Sequence, residues 1–209
     1  MQPFEFKRAD TSWPEGETLL HVYALCDLAS HPALAALVRG ARAALRDFPL
    51  SHVEDRWLHI TIDQITDQVA SAIGQDERDQ LADALTEHLR DTDPFDLTVG
   101  SLLSSRFGVI ADLHPDEPLI RLHEAVRATI RDVRGEAAVR YPWGVQHLTI
   151  SYATQEADSD EAQRLLHRVR PGHAPLRVDA VHLVDVTADS TAKTITWAHL
   201  AAIPLGTPD

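Results

Sequence analysis

Apolar residues along this chain follow two rhythms, a spacing of two and a spacing of three to four, and the rhythms take turns. The stretch 19–28 is almost continuously apolar (Leu19, Leu20, Val22, Tyr23, Leu25), as a strand buried on both faces would be. From Pro32 to about Asp47, Leu34, Leu37, Val38, Ala41 and Leu45 fall at helical spacing, and a proline suits the first helical turn. The pattern predicts a strand over 57–63, a helix over 76–90 and a strand over 95–103. The same order then returns: a strand over 107–113, a helix over 117–133, a strand over 145–152 and a helix over 158–169. Closing strands are predicted over 176–186 and 194–203. Residues 1–18 read as a polar lead-in, and Pro115, Pro142 and Pro171-Gly172 mark loops.

The repetition reaches individual residues. Sliding the chain on itself by 85 positions aligns Leu25 with Ile110, Asp27 with Asp112 and Leu28 with Leu113 (112 − 27). It also aligns Leu34 with Leu119, Leu37 with Leu122, Arg42 with Arg127, and Arg46-Asp47 with Arg131-Asp132. Shared helix amphipathicity explains the leucines but not the matched polar residues, so an internal duplication is expected. Short strands alternating with helices in each half predict an α+β fold of two ferredoxin-like lobes. A pseudo-two-fold axis would relate the lobes, leaving a central cleft between two antiparallel sheets. The expected organisation is one bilobal domain over 1–209, with lobes near 19–103 and 104–203.

Within the duplication, Leu58-His59-Ile60-Thr61-Ile62 and Gln146-His147-Leu148-Thr149-Ile150 repeat one pattern 88 positions apart (147 − 59). With 12 histidines, roughly one His-x-Thr is expected by chance, so the matched pair carries the signal rather than either copy. On a strand, residues two apart share a face. Trp57, His59, Thr61 and Asp63 would then share one face, and Val145, His147, Thr149 and Ser151 the other unit's equivalent, with Tyr152 on the core side. Two equivalent strands would turn both His/Thr faces to one groove. Histidine is the side chain suited to moving protons near neutral pH. A base, an acid and two hydroxyl donors suffice to open a cyclic phosphodiester without a metal or cofactor.

Composition narrows the partners. At 209 residues, with 44% hydrophobic and 24% charged residues, the chain can bury a real core. No apolar run approaches a membrane span and no signal peptide is visible, so a cytoplasmic location with no membrane partner is expected. The single cysteine, Cys26, allows no internal disulfide. A net charge of −13 argues against a broad surface for duplex nucleic acid, whose grip needs phosphate neutralisation, and leaves a small cyclic nucleotide or an RNA end as the expected partner. His123-Glu124-Ala125-Val126-Arg127 begins like a zinc-protease helix but lacks the second histidine, and reads as an exposed helix face. No phosphate-binding glycine loop or Gly-x-Ser-x-Gly elbow occurs.

The two His-x-Thr-x stretches resemble the paired signatures of the 2H phosphoesterase superfamily, which includes 2′-5′ RNA ligase-like proteins and cyclic phosphodiesterases. The likeness spans roughly 19–203 in element order. It implies catalytic roles for His59, Thr61, His147 and Thr149, with His147 as the water-activating base and His59 as the acid, although near symmetry permits either order. Trp57 and Ser151 are candidates for contacting substrate. The activity implied is metal-independent hydrolysis of 2′,3′-cyclic phosphates on nucleotides or RNA ends. Reversible 2′-5′ RNA ligation through the same residues, or a module that holds a nucleotide without turnover, are the alternatives.

Overall fold

Described over residues 1–142 and 144–206, the structure is a computed structural model. A small hairpin, β1 (Lys7–Arg8) and β2 (Thr11–Ser12), precedes the first repeat: β3 (Leu19–Leu25), α1 (Pro32–Ala44), β4 (Leu50–His52), β5 (His59–Gln64), α2 (Gln75–Leu89) and β6 (Phe95–Ser105). The second repeat is β7 (Gly108–His114), α3 (Asp116–Arg134), β8 (His147–Ala153) and α4 (Ser159–Leu166), followed by β9 (Ala174–Val178), β10 (Ala180–Asp189) and β11 (Thr194–Pro204). Local chemistry marks the helix ends. Pro32 opens α1, Asp158 accepts from the amides of Asp160 and Glu161 at the start of α4, and Gly135, at φ +84°, ends α3.

Nine of the strands form one antiparallel sheet in the order β11-β10-β3-β5-β8-β7-β6-β9, with β4 alongside β8. Where the sequence predicts two antiparallel sheets, the strands fall into two ladders, β11-β10-β3-β5 and β8-β7-β6-β9, which a single pair, Ile60 with Leu148, joins into one sheet. The motif strands β5 and β8 are therefore neighbours at the centre of the sheet. The ladders do not follow the expected boundary near residue 103. β6, from the first half of the chain, pairs with β7 and β9, while β10 and β11, from its end, extend the β3 side. Residues 176–186 thus make two strands, because the chain crosses between ladders at Asp179; the buried set changes phase there, from Leu176 and Val178 to Val181 and Leu183.

Helices α2 and α3 cover the β5–β11 side, and α1 and α4 cover the β6–β9 side. Leu34, Leu37, Val38, Ala41 and Leu45 are buried in the first repeat, and Leu119, Leu122, His123, Val126 and Ile130 at the matched positions in the second. The spacing of 85 therefore holds for the helices. It does not hold for the first strands: Val22 opposes Asp63 as Val109 opposes Ser151, a spacing of 87 (109 − 22). A slip of two leaves every strand side chain on its own face, so hydrophobicity alone could not detect it. No helix among the described residues is long and apolar enough to cross a membrane.

Candidate active site

Each motif strand carries the same irregularity. On β5, Thr61 opposes Tyr23 and Asp63 opposes Val22, leaving Ile62 as an extra residue; on β8, Thr149 opposes Ile110 and Ser151 opposes Val109, leaving Ile150. A bulge of this kind reverses the face on which later side chains emerge. His59 and Thr61, with His147 and Thr149, line one cavity of about 610 Å³, and beyond the bulges Gln64 and Tyr152 line it too. Asp63 and Ser151 turn to the opposite, helix-covered side. The expectation that Asp63 and Ser151 share the histidine face, and Tyr152 the core face, is corrected by this one-residue insertion.

The displaced residues brace the site from behind. Asp63 is fully buried and receives two bonds from Arg127 of α3, at 2.9 and 3.1 Å. Arg127 also donates to the carbonyl of Tyr141, at 2.6 Å, in the segment leading to β8. Its sequence match, Arg42, donates to the carbonyl of Val53 and pairs with Asp55, in the segment leading to β5. Both carbonyls lie six residues before a motif histidine (59 − 53, 147 − 141). His123, expected on an exposed face, is buried and donates from Nδ1 to the carbonyl of Ile62, the bulge residue itself, at 2.8 Å. Ser151 instead bonds Nδ1 of His52, at 2.7 Å.

Both motif histidines are held the same way. Nδ1–H of His59 donates to the carbonyl of Trp57, at 2.8 Å, and Nδ1–H of His147 to that of Val145, at 2.9 Å. When neutral, each ring therefore keeps its Nε2 lone pair free to take a proton. Their surroundings differ. His59 is only 6% exposed, stacked on Tyr23 with centroids 3.9 Å apart and met edge-on by Trp197 at 5.1 Å. Burial lowers its pKa to about 4, and the nearby His147 adds to the effect. His147 is partly open.

Trp57, a substrate-contact candidate, does not line the cavity. It ends a short 3₁₀ turn (Asp55–Trp57) and packs on Trp197 with centroids 4.7 Å apart, one ring behind His59. Ser151, the other, faces His52. The sequence reading passed over His21 and Tyr23 on the floor, and Phe4, Phe6, Lys7 and Trp13 from the supposed lead-in. A signal existed: His21 and Tyr23 alternate within a buried run, as Phe4 and Phe6 alternate near the start. His21 accepts from the Gln64 amide at 3.0 Å, and burial holds its pKa down to about 3. The Tyr23 hydroxyl is buried near Thr61 but completes no hydrogen bond, and its pKa is raised by burial. No group of three or more His, Cys, Asp or Glu among the described residues could hold a metal ion.

A continuous antiparallel sheet with two His-x-Thr strands side by side at its centre, facing one cavity, defines a protein of the two-histidine phosphoesterase class. The model of the 2′-5′ RNA ligase superfamily matches residues 30–190, and the chain belongs to that family. Among solved structures, it is similar to TT0787 of Thermus thermophilus, at 19% identity and a TM-score of 0.66, over 90% of this chain and 97% of that one. It is also similar to E. coli LigT complexed with 3′-AMP, at 14% identity and a TM-score of 0.63, over 90% and 98% of the two chains. A third structure, described as a phosphoesterase, matches at 14% identity and a TM-score of 0.59, over 91% and 99%. A search of curated protein sequences returns no match. Family membership makes the chain an enzyme of the phosphoesterase or ligase type.

Proposed function

We propose that the protein hydrolyses 2′,3′-cyclic phosphates of nucleotides or RNA ends, using His59 and His147 as proton carriers and Thr61 and Thr149 as donors to the phosphoryl oxygens. The observation that carries this reading is the matched pair of imidazoles on one cavity, each fixed through Nδ1 and each with Nε2 free. An in-line displacement needs a base for the entering water and an acid for the departing ribose oxygen, and the pair supplies both. The threonine hydroxyls meet the charge that builds on the non-bridging oxygens. No metal is required by this chemistry. The complex of the similar LigT with 3′-AMP supports a substrate of nucleotide size.

Burial favours His59 as the base, the reverse of the order suggested by the family resemblance. A base must start neutral, and His59 with a pKa of about 4 is neutral across the physiological range. His147, the more open ring, then takes the part of the acid. The test is ³¹P NMR of 2′,3′-cyclic AMP with EDTA present, using the parent protein, His59→Ala and His147→Ala. Ring opening by the parent and loss of about 10²- to 10⁴-fold in each variant is expected. Unimpaired opening by both folded variants would sink the mechanism.

A further inference from the structure

Lys7 is the one lysine or arginine among the residues lining the cavity, and its ammonium makes no hydrogen bond or ion pair among the described residues. The arginines of α3 that lie behind the site, Arg127 and Arg134, are by contrast each paired with a carboxylate, Asp63 and Asp67. The hairpin carrying Lys7 is fastened to the first motif strand. Gln64 donates to the Lys7 carbonyl at 3.0 Å and accepts from the Ala9 amide at 2.7 Å, while Arg8 bonds the Thr66 carbonyl at 3.1 and 2.7 Å. The backbone that bears the free ammonium is thus set by the strand that bears His59. Glu5 is the one carboxylate on the same lining among the described residues.

The same segment also builds an aromatic wall. Phe4 lies 4.5 Å from Tyr152 and 6.1 Å from Phe107, and Phe6 lies 5.2 Å from Tyr152, centroid to centroid. Only four large hydrophobic side chains are exposed among the described residues, and two of them, Phe107 at 39% and Val145 at 77%, line this cavity. The Arg106 guanidinium sits over the Phe107 ring at 5.0 Å. Apolar surface left open beside two proton carriers is surface that a ligand would cover.

We infer that residues 1–18 form part of the substrate site, a nucleoside-recognition element in which Lys7 contacts the phosphate and Phe4, Phe107 and Val145 receive the planar base. The inference rests on the proposed function for the identity of the substrate, though not for the existence of the subsite. Base stacking on aromatic side chains tolerates any base, so the wall selects for a nucleoside rather than for one sequence.

Lys7→Gln and Phe107→Ala test it, each checked for folding by circular dichroism. Binding of 3′-AMP and of ribose 3-phosphate is measured by calorimetry, and turnover is followed with 2′,3′-cyclic AMP and with its abasic ribose counterpart. Phe107→Ala is expected to weaken 3′-AMP about five- to a hundred-fold and raise KM for cyclic AMP, with kcat unchanged and the abasic compounds unaffected. Lys7→Gln is expected to weaken both phosphates about tenfold, an effect that shrinks with added salt. Parent-like binding of 3′-AMP by both folded variants overturns the inference, as does an equal loss of base-bearing and abasic ligands in Phe107→Ala. If the parent binds 3′-AMP through these two residues but opens no cyclic phosphate, the subsite stands and the proposed reaction falls.

Discussion

The two motif strands share a backbone and differ in what surrounds it. His59 and His147 each bond the carbonyl two residues upstream, each precedes a threonine on the same cavity, and each strand bulges at the isoleucine that follows. Around this common frame, His59 is enclosed by Tyr23 and Trp197 while His147 is partly open. Behind the bulge, the first unit buries a carboxylate against an arginine and the second places a serine against a histidine. Geometry can thus be duplicated while burial is not, because geometry is set by the strand and burial by distant side chains.

The sharpest break of this comparison is chemical. An aryl phosphodiester has a leaving group that needs no proton, so it separates the acid from the base. His147→Ala should lose about a thousandfold on 2′,3′-cyclic AMP yet about tenfold or less on a p-nitrophenyl phosphodiester. His59→Ala should lose heavily on both. Losses in the opposite pattern would hand the base role to His147, and equal losses on both substrates would dissolve the distinction.

The braces behind the bulges differ next. Arg127→Met leaves Asp63 as a fully buried charge with its principal partner gone and should destabilise by about 3–5 kcal/mol. Ser151→Ala removes one hydrogen bond to the half-buried His52 and should cost about 1 kcal/mol. Urea unfolding of the two variants measures both. Similar midpoints would mean that the two halves are braced equally after all.

Sequence showed the paired motifs, the helix faces and the match of Arg42 with Arg127, whose shared task, holding the carbonyl six residues before a motif histidine, explains why the match reaches beyond hydrophobicity. It could not show the bulges at Ile62 and Ile150, because a bulge is a relation between two strands and each strand alone alternates regularly. Alternation alone therefore puts Asp63 and Ser151 on the histidine face and Tyr152 on the core face, whereas Trp57 misses the cavity for another reason, ending the 3₁₀ turn ahead of β5. Residues 1–18 are too short in each element to carry a period, although Phe4 and Phe6 turned out to wall the cavity. The crossing of β6 and β10 between ladders was also hidden, since strand pairing is a relation between segments far apart in the chain.

Titration of the buried ring sharpens the comparison through stability. The unfolded His59 binds a proton below about pH 6.5, while the folded one resists until about 4. The unfolded state therefore holds more protons in between, and stability falls as pH drops through that window, then levels below it. A shift of this size corresponds to roughly 3 kcal/mol at full extent. His59→Gln should lose less stability between pH 7 and 4.5 than the parent does, while His21, His52, His123 and His182, also held down by burial, contribute alike in both proteins. Parallel curves for parent and variant would show that His59 is not held neutral.

The smallest expected effect asks which neighbour makes the two histidines unequal. Trp197 comes from β11, far along the chain, and meets the edges of both His59 and Tyr23. It has no counterpart at His147 in any ring contact among the described residues. Trp197→Leu should admit water to the His59 ring and raise its pKa by about one unit toward 6.5, with the Trp57 carbonyl still holding Nδ1. Imidazole proton shifts followed by NMR from pH 3 to 8 read this directly, and the acid limb of kcat/KM should move up with them. If the ring of His59 keeps its low pKa in that variant, the stacked Tyr23 is what sets the difference, and the asymmetry lies in β3, where Tyr23 faces Thr61 as Ile110 faces Thr149 in the second repeat, rather than in the strand borrowed from the end of the chain.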